Sequence, residues 1–310
     1  MLKYLIILLD DTSVSYCHYE NNRTEHRLIP LDVLHQAIFW AMKENLMVQF
    51  VFPECSLPKE YANEIERIDH TKIKPASGFV DDADIVSGTL SELEHLDNMK
   101  QTAILRIRKR DFFENYGSIL ALMNHLKRLN VVITDIDSFT EADFAEYRDV
   151  LEKMSEYISA RYVEGYELQI NILTDRMILK EMNNCNAGTQ SITLAPDGRF
   201  YVCPAFYLEP DGYSVGDLQV GVDIRNSQLY RIDHAPICSK CDAYQCRRCI
   251  WLNRKTTMEI NTPGHEQCVV AHIERNASRG LLAAIRREKV FLPGSEIKKI
   301  DYLDPFDLLK

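Results

Sequence analysis

Up to about residue 180, short apolar runs alternate with stretches in which apolar residues recur every three or four positions. The runs at 4–9, 48–52, 103–108, 131–136 and 168–173 read as buried strands. Between them Leu31, Leu34, Ile38, Ala41 and Met42 share one helical face. So do Phe112, Tyr116, Ile119, Leu120, Met123 and Leu126, and then Phe144, Tyr147, Val150, Leu151, Met154 and Ile158. Thr140, with Asp143 three residues on, is placed to cap the last of these helices. The stretch 57–100 is charged, and helices are expected at 58–69 and 89–99. Strands alternating with helices predict an α/β fold with a parallel sheet and right-handed crossovers, either an open doubly wound sheet or a full or partial (β/α) barrel.

Beyond this alternation the pattern changes. A helix over 175–184 leads to Cys185. Residues 192–194, the turn Pro196-Asp197-Gly198 and residues 200–203 then read as a β-hairpin, because glycine accepts positive φ and proline presets the turn. The hairpin brings Cys203 near Cys185, and a second domain is expected to begin here.

Seven of the nine cysteines fall between residues 185 and 268, and Cys238, Cys241, Cys246 and Cys249 form C-x2-C-x4-C-x2-C. Thiolates at such spacing converge on one soft metal centre. Six apolar residues ending in Asp10-Asp11 are too short for a signal peptide, and no membrane span is evident. The expected compartment is the cytoplasm, where reduced thiols serve metal or redox chemistry instead of disulfides. The net charge of -10 argues against nucleic acid as a partner. The basic group Arg106, Arg108, Lys109 and Arg110 reads as a solvated strand end. Arg275, Arg279, Arg286, Arg287 and Lys289 read as the solvated face of a helix, with an acidic peptide as the alternative.

Cys185, twelve residues, Gly198, four residues and Cys203, followed by the four-cysteine run and Cys268, strongly resembles the SPASM domain. That is the auxiliary iron-sulfur domain of many radical SAM peptide-modifying enzymes. The family pattern of the second half is C-x2-C-x5-C-x3-C, so the last two gaps here are each one residue shorter. The resemblance implies two 4Fe-4S clusters: one fully ligated by Cys238, Cys241, Cys246 and Cys268, and one with an open site on Cys185, Cys203 and Cys249. Two zinc sites are the alternative, with His234 or His265 completing the second. Zinc ribbons usually leave about 15 to 20 residues between their knuckles, whereas four separate Cys241 from Cys246.

In radical SAM enzymes the loop after the first strand carries C-x3-C-x-aromatic-C. The matching positions here are Asp10, Val14 and Cys17, with Tyr16 as the aromatic residue. A single thiolate remains, and Phe52-Pro53-Glu54-Cys55 lacks the glycine-rich stretch that binds the amino group of S-adenosylmethionine. Ordinary cleavage of that cofactor is therefore not expected. Cys17 and Cys55 read as small buried residues, with Cys55 as a second thiolate the alternative.

This combination, with the start Leu5-Ile6-Ile7-Leu8-Leu9-Asp10-Asp11-Thr12-Ser13-Val14-Ser15 and then Tyr16-Cys17-His18-Tyr19, resembles the CXXX repeat peptide maturase family. The resemblance implies a degenerate radical SAM-like partial (β/α) barrel over 1–184, a SPASM-like metal-cluster domain over 185–275, and a C-terminal helix and tail over 276–310. It implies maturation of a ribosomally synthesised cysteine-repeat peptide, with a cysteine-rich precursor peptide as partner. A noncatalytic adaptor that presents the peptide to a separate modification enzyme is the alternative. A third reading is a nucleotide-binding barrel using Asp10, Asp11, Asp135 and Asp137 at strand ends, where acidic residues also serve simply as solvated caps.

Overall fold

The computed structural model describes residues 2–96 and 101–288. Lys289, residues 97–99 of the helix expected at 89–99, and the tail from 289 onward lie outside the described residues. In chain order the elements are β1 (Tyr4–Leu8), α1 (Leu31–Lys43), β2 (Met47–Val51), α2 (Lys59–Ile65), β3 (His70–Pro75), β4 (Ile85–Gly88), α3 (Leu90–Glu94), β5 (Thr102–Ile107), α4 (Lys109–Glu114), α5 (Tyr116–Met123), β6 (Arg128–Ile133), α6 (Glu141–Val163) and α7 (Asp175–Ile178). Then follow β7 (Ser191–Leu194), β8 (Phe200–Tyr201), α8 (Pro204–Leu208), α9 (Ile250–Thr257) and α10 (His265–Arg287). The chain forms two compact units, Met1–Gly88 with Asn186–Ala235, and Thr89–Cys185 with the chain from Pro236.

In the first unit the strand order is β4-β3-β2-β1-β7-β8. All neighbours pair in parallel except β7 and β8, which are antiparallel. Leu5, Ile7, Phe50 and Val51 are fully buried, which is why β1 and β2 read as apolar runs and not as alternations. Helix α1 turns Leu34, Ala37, Ile38 and Ala41 into this core. The hairpin forms as expected: Gly198 has φ +80°, and Thr193 pairs with Tyr201. Its first strand, however, joins the parallel sheet beside β1, with Leu5 opposite Ile192. Residues 186–235 thus pack with the first unit.

The second unit holds β5 and β6, parallel from Thr102 opposite Arg128 to Ile107 opposite Ile133. Its core is aromatic, with Phe112, Phe113, Phe139 and Phe144 around Tyr147, whose ring centre lies 5.6 Å from that of Phe112. The Thr140 capping box is present: the Thr140 amide donates to Asp143 Oδ2 at 2.7 Å and opens α6.

Five expectations are revised. The single helix over 112–126 is two, split at Asn115, whose Nδ2 donates to the Asp111 carbonyl at 2.8 Å and competes with the helical ladder. The strand expected at 131–136 begins three residues earlier, at Arg128, and ends at Ile133. The run 168–173 makes only one bridge, Leu129 to Ile170. There the Asn171 side-chain amide pairs with the Val131 N–H and carbonyl at 2.8 and 2.9 Å, and Thr174 Oγ1 accepts from the Ile170 amide at 2.8 Å, so side chains replace a strand's backbone partners. The helix at 175–184 stops at Ile178. Finally β3 and β4 lie in the stretch read as charged. In β3 the half-buried Lys72 and Lys74 alternate with Ile73 and Pro75 and pair with Glu66 and Asp82, which hides the strand from a search for apolar runs. Among the described residues, no helix is long and apolar enough to cross a membrane.

Candidate metal centre and the loop after the first strand

Cys238 opens a single 3-10 turn, Cys238–Lys240, and Cys268 sits in the first turn of α10. Tight turns carry the two cysteines between them: the Cys241 amide donates to the Cys238 carbonyl at 3.2 Å and the Cys246 amide to the Ala243 carbonyl at 2.9 Å. Cys238, Cys241, Cys246 and Cys268 all line one cavity of about 30 Å3, together with Ile237, Ala243, Arg248 and His272. All of these belong to the second unit.

Backbone N–H groups are aimed at two of the sulfurs. Ala243 N–H donates to Cys241 Sγ and Arg248 N–H to Cys246 Sγ, each at 3.4 Å. The second contact requires Arg248 to adopt φ +45°, a conformation that most residues with a side chain avoid. His272 Nε2 stands 3.6 Å from Cys241 Sγ. Burial pushes the Cys238 thiol up to about 11, only partly offset by the Arg248 charge and hydrogen bond. Burial also raises Cys246 strongly. Without metal both are neutral thiols at pH 7, and a metal that binds them must displace their protons.

An all-thiol donor set with N–H groups directed at the sulfurs fits a thiolate-ligated centre. Among the described residues, no three His, Cys, Asp or Glu side chains stand close enough to share one metal ion. The four thiols share the lining of one cavity.

The other three predicted ligands divide between the units. Cys249 caps α9 and is buried, and the exposed Cys185 donates its amide to the Arg247 carbonyl at 3.3 Å, so both belong with the second unit. Cys203, half-buried, caps α8 in the first unit. None of the nine cysteines forms a disulfide. Of the two histidines considered for zinc, His234 lies beside Asp233 in the first unit, and His265 packs on Phe144 and near Glu266 at the start of α10. The histidine at the cavity is His272, which sequence reasoning missed. The available signal was its position four residues after Cys268, on one helical face. Arg275 was also misread as solvated: it is buried, and its Nη1 donates to Asp242 Oδ1 at 2.8 Å.

The loop after β1 is built differently. Asp10 is fully buried. Its Oδ1 accepts from the Thr12 amide at 2.8 Å and the Thr12 hydroxyl at 2.6 Å, and lies 3.1 Å from His26 Nδ1. Ser13 Oγ accepts from the Asp10 amide and donates to the Val51 carbonyl at 2.9 Å. Asn21 Nδ2 ties the Asp11 and Ser13 carbonyls. Asp11 pairs with Arg23 and Arg27 and accepts from the Tyr207 hydroxyl. Burial raises that phenol to about 12. Cys17 is half-buried and Cys55 exposed, so neither is the core residue expected. Cys55 Sγ lies 3.6 Å from His26 Nδ1, and burial followed by the Asp10 charge raises its thiol. The remaining acidic strand ends are also engaged: Asp135 accepts from the Lys109 amide at 2.8 Å, and Asp137 pairs with Lys255 at 2.8 Å.

No family model and no curated protein matches the sequence. Solved structures do match. Histidine-tagged anSMEcpe with bound AdoMet aligns with a TM-score of 0.65 at 11% identity, covering 94% of this chain and 96% of that one. Native anSMEcpe with bound AdoMet and Cp18Cys peptide aligns with a TM-score of 0.65 at 10% identity, covering 94% and 100%. At such identities the likeness is one of fold, an α/β architecture built on a mostly parallel sheet with helices.

Proposed function

We propose that the protein matures a ribosomally synthesised, cysteine-rich peptide through a SPASM-type iron-sulfur region, without ordinary radical cleavage of S-adenosylmethionine. The observation that carries this reading is the convergence of Cys238, Cys241, Cys246 and Cys268 on one cavity. When bound there, a 4Fe-4S cluster supplies one-electron transfer, and a cluster lacking one protein ligand supplies a site for a thiolate. Cys238, Cys241, Cys246 and Cys268 hold the fully ligated cluster, and the N–H groups of Ala243 and Arg248 disperse negative charge from its sulfurs. Cys185, Cys203 and Cys249 are proposed as the second ligand set on the SPASM resemblance alone. The solved relative holding a peptide as well as AdoMet supports a peptide as the substrate class. The reading places the protein in the cytoplasm, where its thiols stay reduced.

The Asp10 loop supports the absence of a third cluster, because its carboxylate serves the loop's own amide and hydroxyl. The same observation favours a second reading, an adaptor that presents the peptide to a separate modification enzyme. Anaerobic purification with iron, sulfide and zinc analysis tests the first reading. About eight irons per chain with equal sulfide are expected, together with binding of a cysteine-repeat peptide that fails when its cysteines are serines. Zinc without sulfide and no thiol-dependent binding would overturn it. Unchanged peptide mass until a partner enzyme is added would select the adaptor.

A further inference from the structure

A second cavity, of about 260 Å3, opens at the carboxyl ends of β2 and β3, where Phe52 and Pro75 line it with Leu57, Lys74 and Phe79. Open α/β sheets bind their ligands at that end of the strands. The exposed Cys55 lines the same cavity. Its Sγ lies 3.6 Å from His26 Nδ1, and the same nitrogen lies 3.1 Å from Asp10 Oδ1. Asp10 is fully buried, and its Oδ2 has no hydrogen-bond partner among the described residues. All of these residues belong to the first unit.

A thiol within reach of an imidazole, with a carboxylate on that imidazole, has the parts of an activated sulfur nucleophile. The imidazole accepts the thiol's proton on Nδ1, the nitrogen that Asp10 faces. A buried carboxylate with an unused oxygen is costly, and the imidazolium is the cation that compensates it. Without His26 the surroundings work against the sulfur, since burial and then the Asp10 charge raise the Cys55 thiol. Attack on an acyl carbon calls for oxyanion donors, whereas exchange between sulfurs calls for a thiolate, a base and room for the disulfide. We infer that Cys55 is a nucleophile for peptide disulfides, with His26 as its base and Asp10 as the residue that positions His26. That the disulfide belongs to a cysteine-rich peptide rests on the function proposed above, and the thiol site itself does not. Cys55 gives its proton to His26 and attacks one sulfur of the disulfide. The bond between Cys55 and the peptide sulfur forms, the peptide S–S bond breaks, and the departing sulfur leaves with the electron pair and takes the proton from His26. A second peptide thiol then attacks the mixed disulfide and frees Cys55, so the pairing of the peptide changes with no net oxidation.

The probe is oxidised glutathione, a small peptide disulfide, added to the full chain at neutral pH. The rate of adduct formation at Cys55 is read by peptide-mapping mass spectrometry, which separates it from the other cysteines. His26→Gln is expected to slow the adduct at Cys55 about tenfold, and equal rates would overturn the inference. A comparison without substitution stands in where His26→Gln does not fold: unfolding the wild-type chain in urea keeps the sulfur and removes the imidazole. Slower reaction at Cys55 on unfolding supports the inference, and faster or equal reaction overturns it. Asp10→Asn keeps an oxygen for Thr12 and is expected to slow Cys55, because His26 loses its carboxylate. A carboxylate acting only through its charge on Cys55 gives the opposite result, so a faster or unchanged rate rejects Asp10 as the positioning residue. A disulfide-bonded cysteine-repeat peptide then replaces glutathione. A faster rate that still depends on His26 supports the peptide as substrate, whereas an equal or slower rate overturns that part and leaves Cys55 as a nucleophile for disulfides.

Discussion

Two loop regions of this molecule can be compared directly: the loop after β1 and the turns that carry Cys238, Cys241 and Cys246. Both are closed by side chains bonding to nearby backbone. In the first, Asp10 and Ser13 direct their polar atoms at the loop's own amides, at Thr12 and at Val51. In the second, amides are directed at sulfurs and the sulfurs face a common cavity. The difference is one of donor chemistry: in the first loop hydroxyls and a carboxylate serve the loop's own backbone, and in the second the groups that accept the amides are thiols lining a cavity.

The sharpest way to break this comparison is to exchange thiols for hydroxyls in both regions. Cys241→Ser or Cys268→Ser is expected to remove about four irons per chain, while Cys17→Ser and Cys55→Ser leave metal content as in the wild type. Elemental analysis decides, and iron loss from the Cys17 variant would contradict the structural reading of the β1 loop. Asp10→Ala leaves the Thr12 amide and hydroxyl without their acceptor in a buried site, and a loss of about 3 kcal/mol is expected in urea unfolding.

A third prediction concerns Glu274 in α10. Burial raises its carboxyl to about 7, although Tyr147 and Gln245 both donate to it. A carboxyl whose folded pKa exceeds its unfolded value binds more protons when folded. Stability is therefore full at low pH, falls from about pH 4.5 to about 7, and then levels. The total is at most on the order of 3 kcal/mol, and Glu274→Gln should flatten this part of the profile of thermal midpoint against pH. An unchanged slope would reject the assignment. The smallest effect is expected from Tyr207→Phe, which removes one hydroxyl from Asp11 and Arg27. It should cost about 1 kcal/mol without changing metal content.

The strands and helices that bury one continuous face were legible. The run of β1 and the faces of α1 and α6 needed only hydrophobic spacing, and the Thr140 cap needed only local chemistry. What escaped is decided by side chains standing in for backbone. Asn171 pairs with β6 where a strand was expected, Asn115 interrupts a helical face, and Lys72 and Lys74 occupy a strand in salt bridges. Spacing marked Cys238, Cys241 and Cys246 as a group, the SPASM resemblance added Cys268, and neither marked His272 and Arg248 as neighbours of the cavity.

The sequence by itself determined which residues are thiols, where two tight turns set them two and four positions apart, and that Asp10 and Val14 supply no thiolate. Those are properties of residue identity and short-range geometry. Only the tertiary structure decided that His272 stands beside Cys241 at the cavity, that Arg275 is buried against Asp242, and that the hairpin at 191–201 joins the sheet beside β1. Those depend on how helices and strands pack over long chain separations, where burial and charge pairing act among groups that no local pattern brings together.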